Sequence, residues 1–331
     1  MRALLILLFA AIMIAVGALM ELERFKDTPL TLVEESVLLD VPSGMSLRGL
    51  SDALASRGLM DHPFYFMVLS HWRGDASRIK AGEYEIAGGT TPLQLLDQLI
   101  AGKVVQRAIT LVEGWTIAQA LEAVIADERL KKTLEEPTTK ALMVAIGQPD
   151  LHAEGRFFPD TYHFTKGASD VDIMQRAFAS MERVLAEEWE KRDDGLPLAS
   201  PYEALILASI IEKETGKASE RPAIAGVFVR RLINGMKLQT DPTVIYGMGD
   251  AFDGNLRRAD LRRDTPYNTY VHHELPPTPI ALPGRAAIHA TVHPQDDDSL
   301  YFVAKGDGSH WFSATLDEHN RAVRRYQFGQ H

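Results

Sequence analysis

The residues of this sequence best placed to do chemistry are two glutamates at the end of one apolar run. Ala204 to Ile211 is apolar at every position except Ser209, and Glu212-Lys213-Glu214 follows directly. At about 100° per residue, Glu212 falls on the stripe of Leu205, Ala208 and Ser209, and Glu214 on that of Leu207, Ile210 and Ile211. A carboxyl leaving an apolar stripe is partly desolvated, which penalises its charged form and raises its pKa. Such a group keeps a proton near neutral pH and can deliver it to a leaving oxygen, the task of a general acid in glycoside cleavage. The plainer reading is that Glu212 only pairs with a nearby cation, Arg221 or Arg230.

The helix that must carry these groups is well signalled. Ser200 stands at its cap, Pro201 at its first position and Glu203 three residues after the serine, the capping-box arrangement. A helix apolar nearly all round is expected to be buried. Ser219 and Pro222 open a second helix ending at Asn234-Gly235, whose Ile224, Val227, Phe228 and Leu232 are expected to pack against the first.

At the other end of the chain, Ala3 to Met20 is an uncharged apolar run of about 18 residues, near the lower limit for crossing a bilayer. A retained single-pass anchor is favoured over a cleaved signal peptide, although Ala15, Gly17 and Ala18 are small enough for a peptidase. Next, Val33 to Val41 favours a strand, Ser46 and Thr91-Pro92 open helices, and Ile79 to Ile86 reads as a strand. Val41-Pro42-Ser43-Gly44-Met45-Ser46-Leu47 is echoed by Leu111-Val112-Glu113-Gly114-Trp115-Thr116-Ile117, one strand–turn–helix device used twice. Proline-punctuated Thr133 to Pro149 reads as a hinge, Asp172 to Lys191 as an amphipathic helix and Leu300 to Ala304 as a strand, an α+β pattern.

Several functions are disfavoured by what the sequence lacks. A net charge of −10 without a basic face argues against nucleic acid. Cysteine is absent, which removes thiol chemistry. The 11 histidines include the adjacent His272-His273 but no His-Glu-x-x-His helix, and His293 and His310 read as loop or core residues, so no metal or cofactor is expected. No Gly-x-Ser-x-Gly elbow and no phosphate-cradling glycine loop occur.

Taken in order, Ala208-Ser209-Ile210-Ile211-Glu212-Lys213-Glu214-Thr215, Ser219-Glu220-Arg221 and Leu238-Gln239-Thr240-Asp241-Pro242-Thr243-Val244-Ile245-Tyr246-Gly247 form a series of distinctive blocks. Glu154-Gly155, Phe158-Pro159-Asp160-Thr161-Tyr162, Thr265-Pro266-Tyr267-Asn268-Thr269-Tyr270, Leu275-Pro276-Pro277, His293-Pro294, Tyr301-Phe302-Val303 and His319-Asn320 complete it. With these blocks the chain resembles the endolytic murein transglycosylases, the MltG or YceG-like family, over nearly its whole length. The resemblance implies a transmembrane anchor (1–23), a LysM-like glycan-binding module (30–105) and an α+β catalytic domain (106–331). Within that domain, 108–130 is the second strand–turn–helix unit and 150–331 the core.

It further implies a single-pass protein of the cytoplasmic membrane with its bulk in the periplasm. There it would cut peptidoglycan strands between MurNAc and GlcNAc, leave 1,6-anhydro-MurNAc ends and so terminate strands beside the glycan polymerases. Glu212 matches the family's catalytic glutamate on this reading, and would serve as acid and then as base. Gln239, Tyr267 and Asn268 are expected to orient the sugar or its acetamide. The sequence departs from the family where Glu274 and Thr278 replace glycines and Leu282 an asparagine, which bears on the shape of that loop. Two alternatives stand beside this reading. One is a muramidase in which Glu214, Asp160 or Asp241 activates a water; the other is a non-catalytic wall-binding membrane scaffold.

Overall fold

The structure, a computed structural model, describes residues 2–329. The chain divides into two compact units: residues up to Arg107 with His163–Gly167, and Ala108–Tyr162 with the chain from Ala168 onward.

The first unit opens with helix α1 (Arg2–Asp27), which among the described residues is the one helix long and apolar enough to cross a membrane. Its apolar side chains from Leu4 to Met20 stand exposed, whereas Leu22 and Phe25, past the end of that stretch, pack into the unit's core. Strand β1 (Ser36–Val41), helices α2 (Leu47–Ser56) and α3 (Pro63–Trp72), strand β2 (Gly82–Ala87) and helix α4 (Pro92–Ala101) follow. β1 pairs antiparallel with β2, Ser36 opposite Ala87 and Val41 opposite Gly82. The sheet turns Leu39, Val41, Tyr84 and Ile86 onto Leu50, Leu54, Phe66, Leu95 and Leu99 of the helices. Ser46 caps α2 and Thr91 forms a capping box with Gln94 at α4, as their sequence signals predict.

The second unit contains β3 (Arg107–Thr110, whose first residue belongs to the first unit), α5 (Ile117–Ala126), α6 (Thr139–Ala145) and β4 (Thr161–Phe164, whose His163 and Phe164 belong to the first unit), with β3 paired to β4. Then come α7 (Asp170–Glu190), α8 (Pro201–Glu214), α9 (Arg221–Ile233), α10 (Asp241–Met248), α11 (Arg285–Val292), β5 (Tyr301–Ala304), β6 (His310–Ser313) and α12 (Leu316–Gln327). β5 and β6 make an antiparallel hairpin. α8 is the axis of this unit: every residue from Ala204 to Ile211 is buried, against Ile224 and Phe228 of α9, Ile288 of α11 and Val184 of α7.

The strand–turn–helix echo is realised twice. Gly44 and Gly114 both adopt left-handed φ, +82° and +77°, and Ser46 and Thr116 both cap the helix that follows. The hinge expected over 133–149 is not one. It contains α6, and the Thr133 and Leu134 N–H groups donate to the Asp170 carboxylate, which fixes the segment to the start of α7.

Candidate active site

The two glutamates at the C-terminal end of α8 meet different surroundings. Glu212 Oε1 accepts from Arg221 Nη2 at 2.8 Å, and Oε2 accepts from the Gly284 N–H at 3.0 Å. Both members of this ion pair are buried, with side-chain exposures of 5% for Glu212 and 10% for Arg221, and Glu113 approaches the same guanidinium at 3.6 Å. Burial pushes the Glu212 carboxyl up; the Gly284 N–H and the Arg221 charge pull it back, and Glu113 pushes it further. A Cβ at Gly284 would lie 1.9 Å from Glu113 Oε1, so a larger residue there would push the half-exposed Glu113 side chain aside.

Glu214, two residues on, lines a cleft of about 420 Å³. The cleft is walled by Gln239, Thr240 and Asp241 before and at the start of α10, by Tyr270, by Tyr301 of β5 and by His319 of α12. Glu212 is not among its lining residues. The Glu214 carboxyl is pushed up to about 7, chiefly by burial; the Thr240 hydroxyl, which donates to it, pulls it down, and the charge of Asp241 pushes it further up. A carboxyl in this state is about half protonated at neutral pH, and its residue borders space for a ligand.

The cleft floor is organised by Arg231 of α9. Its Nη1 donates to the carbonyls of Lys237 and Leu238 and to Gln239 Oε1, and its Nε donates to the Leu300 carbonyl. Its guanidinium lies 5.1 Å from the Tyr301 ring centre, and Tyr301 stacks on His319 at 5.3 Å. Gln239 itself is held at φ +53°, the one non-glycine with positive φ among the described residues. Left-handed backbone strains a side-chain-bearing residue and is retained where the surroundings over-determine it. Tyr270 donates to Asp241 Oδ1 at 2.6 Å, so the wall is fixed by side chains as well as by backbone.

Of the residues expected from sequence to bind substrate, Gln239 is therefore in the cleft with Glu214. Asn268 is fully buried, donating to the carbonyls of Asp260 and Arg263 and accepting from Tyr270 N–H. Tyr267 meets Thr278 Oγ1 at 2.8 Å and packs on Tyr246 at 5.0 Å. Asp241 shares the cleft, whereas Asp160, whose carboxylate accepts from Thr161 N–H, is not among its lining residues.

The loop in which the sequence departs from its family is not strained. None of Glu274, Thr278 and Leu282 has positive φ, Leu282 is buried, and its N–H and carbonyl bond Trp115 O and Gly114 N. Ser209, the one hydroxyl on α8's apolar run, accepts from Ile280 N–H and fastens this loop along the helix.

Sequence reasoning passed over Thr240, Tyr270, Arg231, Tyr301 and His319 as site residues, although all but Arg231 lie in blocks it had singled out. It also passed over Glu154, whose carboxyl accepts from Ile117 N–H and Tyr246 OH, both at 3.0 Å, and is pushed up to about 7 by burial.

The sequence pattern of the YceG-like family matches residues 39–325. The chain belongs to the YceG-like family. This YceG-like chain is 32% identical over 311 residues to the endolytic murein transglycosylase of Bacillus subtilis, covering 88% of this chain and 85% of that protein. It is 27% identical over 325 residues to the endolytic murein transglycosylase of Streptococcus pneumoniae, covering 88% of this chain and 58% of the pneumococcal protein. Among solved structures, a putative YceG-like protein from Listeria monocytogenes matches with a TM-score of 0.54 and 30% identity, over 87% of this chain and 99% of that one. The YceG-like identity and the mixed helix–strand architecture thus agree.

Proposed function

We propose that this chain is a membrane-anchored endolytic murein transglycosylase, a lytic enzyme acting on peptidoglycan strands, and that Glu214 supplies the proton. One observation carries the assignment of the acid: Glu214 lines the cleft beside Gln239 and Asp241, and burial holds its carboxyl up at about 7. Glu212, the acid expected from the sequence, is engaged by Arg221 and Gly284 and fits better as the group that holds α8 against the 278–284 loop.

In the reaction, Glu214 protonates the oxygen bridging MurNAc C1 to GlcNAc C4, and the C1–O4 bond breaks. The carboxylate left behind takes the proton of the sugar's own C6 hydroxyl as O6 closes on C1, giving a 1,6-anhydro-MurNAc end with no water consumed. Gln239 contacts the sugar from the cleft wall, and Tyr301 with His319 offers a flat surface for a ring. Tyr267 and Asn268 act at one remove, by fixing the segment that carries Tyr270.

The strand–helix–helix–strand order of the first unit supports a LysM-like module that grips glycan, and the length and apolar character of α1 support a single-pass anchor; action on peptidoglycan would place the bulk of the chain in the periplasm. Neighbouring glycan polymerases would supply the strands this enzyme terminates.

A muramidase is the second reading, favoured by Asp241 sharing the cleft with Glu214 as a carboxylate able to activate a water. Mass spectrometry of products from un-crosslinked murein separates the two, because the anhydro end is one water lighter. Cleavage that survives Glu214→Gln but is lost in Glu212→Gln would overturn the assignment of the acid.

A further inference from the structure

At the C-terminal end of α7 and the C-terminal end of α11, three metal-ligating side chains converge. Glu188, His289 and His293 each offer one ligand atom, and these atoms lie within 4.8 Å of one another. His289 and His293 are four residues apart, one helical turn, and their ring centres are 4.5 Å apart. The YceG-like activity uses none of the three.

We propose that Glu188, His289 and His293 form a binding site for a divalent transition metal of the zinc type. Two imidazoles and one carboxylate suit zinc, nickel or copper, and do not suit magnesium or calcium, which want oxygen ligands throughout. Ligand atoms around a tetrahedral zinc stand about 3.3 Å apart, given bonds of about 2.0 Å. The present spacing therefore needs only a modest closing movement. The side chain able to make it is His289, which is 58% exposed, while Glu188 is fixed at 7% exposure. An ion can thus enter from solvent onto a carboxylate that is already set in place.

Two further features favour a cation. Asp193 Oδ1 lies 2.7 Å from His293 Nδ1, which leaves Nε2 as the ligating nitrogen and supplies the carboxylate–histidine support common behind bound metals. Arg285 occupies Glu188 Oε1 at 2.6 Å, but Oε2, 2.9 Å from His289 Nδ1, faces the imidazole. The Arg285 charge is itself answered by Glu187, which also meets Arg183, so the carboxylates of Glu187, Glu188 and Asp193 outnumber the two guanidiniums. Bound metal would clamp the end of α7 to α11 and leave one coordination position to water. The site shares no residue with the cleft, and its role is structural.

The test uses the full chain in detergent, with zinc ion titrated against a chromophoric chelator and cobalt ion as a spectroscopic probe. The expected result is one site per chain, weakened at least tenfold by His289→Ala and by His293→Ala and unchanged by His272→Ala. Zinc is also expected to raise the melting temperature of the parent but not of His289→Ala. Because His289 is exposed, that variant keeps the fold, and its circular dichroism serves as the check. Equal zinc affinity in the parent and His289→Ala, or a cobalt spectrum identical in the two, would overturn the proposal.

Discussion

The two carboxyl groups at the C-terminal end of α8 lie two residues apart in sequence, leave similar apolar stripes, and meet different surroundings. Glu212 is enclosed by a guanidinium, a backbone N–H and a second carboxylate, all supplied by chain that wraps the helix end. Glu214 meets a hydroxyl and an open cleft. Burial raises both; at Glu212 the Gly284 N–H and the hydrogen-bonded Arg221 charge offset it, and at Glu214 the Thr240 hydroxyl does so first and the charge of His310 least. On the proposed assignment, desolvation alone does not make an acid. A group must also be spared a permanent counter-charge and given space for the atom it protonates.

The largest effect that could break this comparison is on catalysis. Glu214→Gln is expected to lower strand scission by about 10³-fold, the scale of a lost general acid, with the fold intact. Glu212→Gln should stay within about tenfold of the parent, since a positioning group, not the proton donor, is lost. Release of anhydro-ended products over time measures both.

A smaller effect sharpens it. With the Glu214 carboxyl at about 7, kcat/KM should fall about tenfold per pH unit above that value, as the acid form is depleted. Thr240 lowers this pKa, so Thr240→Val should move the falling limb to higher pH; a shift the other way would contradict the arrangement.

Stability separates the pair next. Removing half of the Glu212–Arg221 pair should cost about 1–3 kcal/mol, read from thermal melts, because Arg221 would be left buried beside the more distant Glu113. Smallest is a pH slope. The Glu154 carboxyl is raised to about 7, so its contribution is fully present below the unfolded value near 4.5 and is lost as pH climbs through 7. Glu154→Gln should remove that loss, at most about 1.4 kcal/mol per pH unit, and urea melts between pH 5 and 7 would register it.

Much of the scaffold was legible in the chain. The Ser200 cap and the unbroken apolar run announced α8, and Ser46, Thr91 and Thr116 announced their helices, because caps and periodicity are local signals. What distinguishes Glu212 from Glu214 was not legible. It depends on Gly284, on Arg221 at the start of α9, and on Tyr301 and His319, brought together only by the fold. Asn268 shows the same limit: an amide in a polar block looks free to bind sugar until its partners prove to be carbonyls of its own loop. The prolines around 133–149 suggested a hinge, but the Asp170 carboxylate that fastens it lies outside the segment. His293 reads from sequence as a loop or core residue with no metal expected; the proposed metal site depends on Glu188, which lies on another helix.

The way α1 ends has a mechanical consequence. Leu22 and Phe25 belong to the core of the first unit, Phe25 sits 5.6 Å from Tyr65, and the Leu30 N–H reaches back to Thr90 O. The apolar rod and the small sheet are therefore one stiff piece, with no slack leash joining them. With α1 set in a bilayer, as proposed, the tilt of the rod would also set the height and heading of the small sheet and its helices above the lipid headgroups.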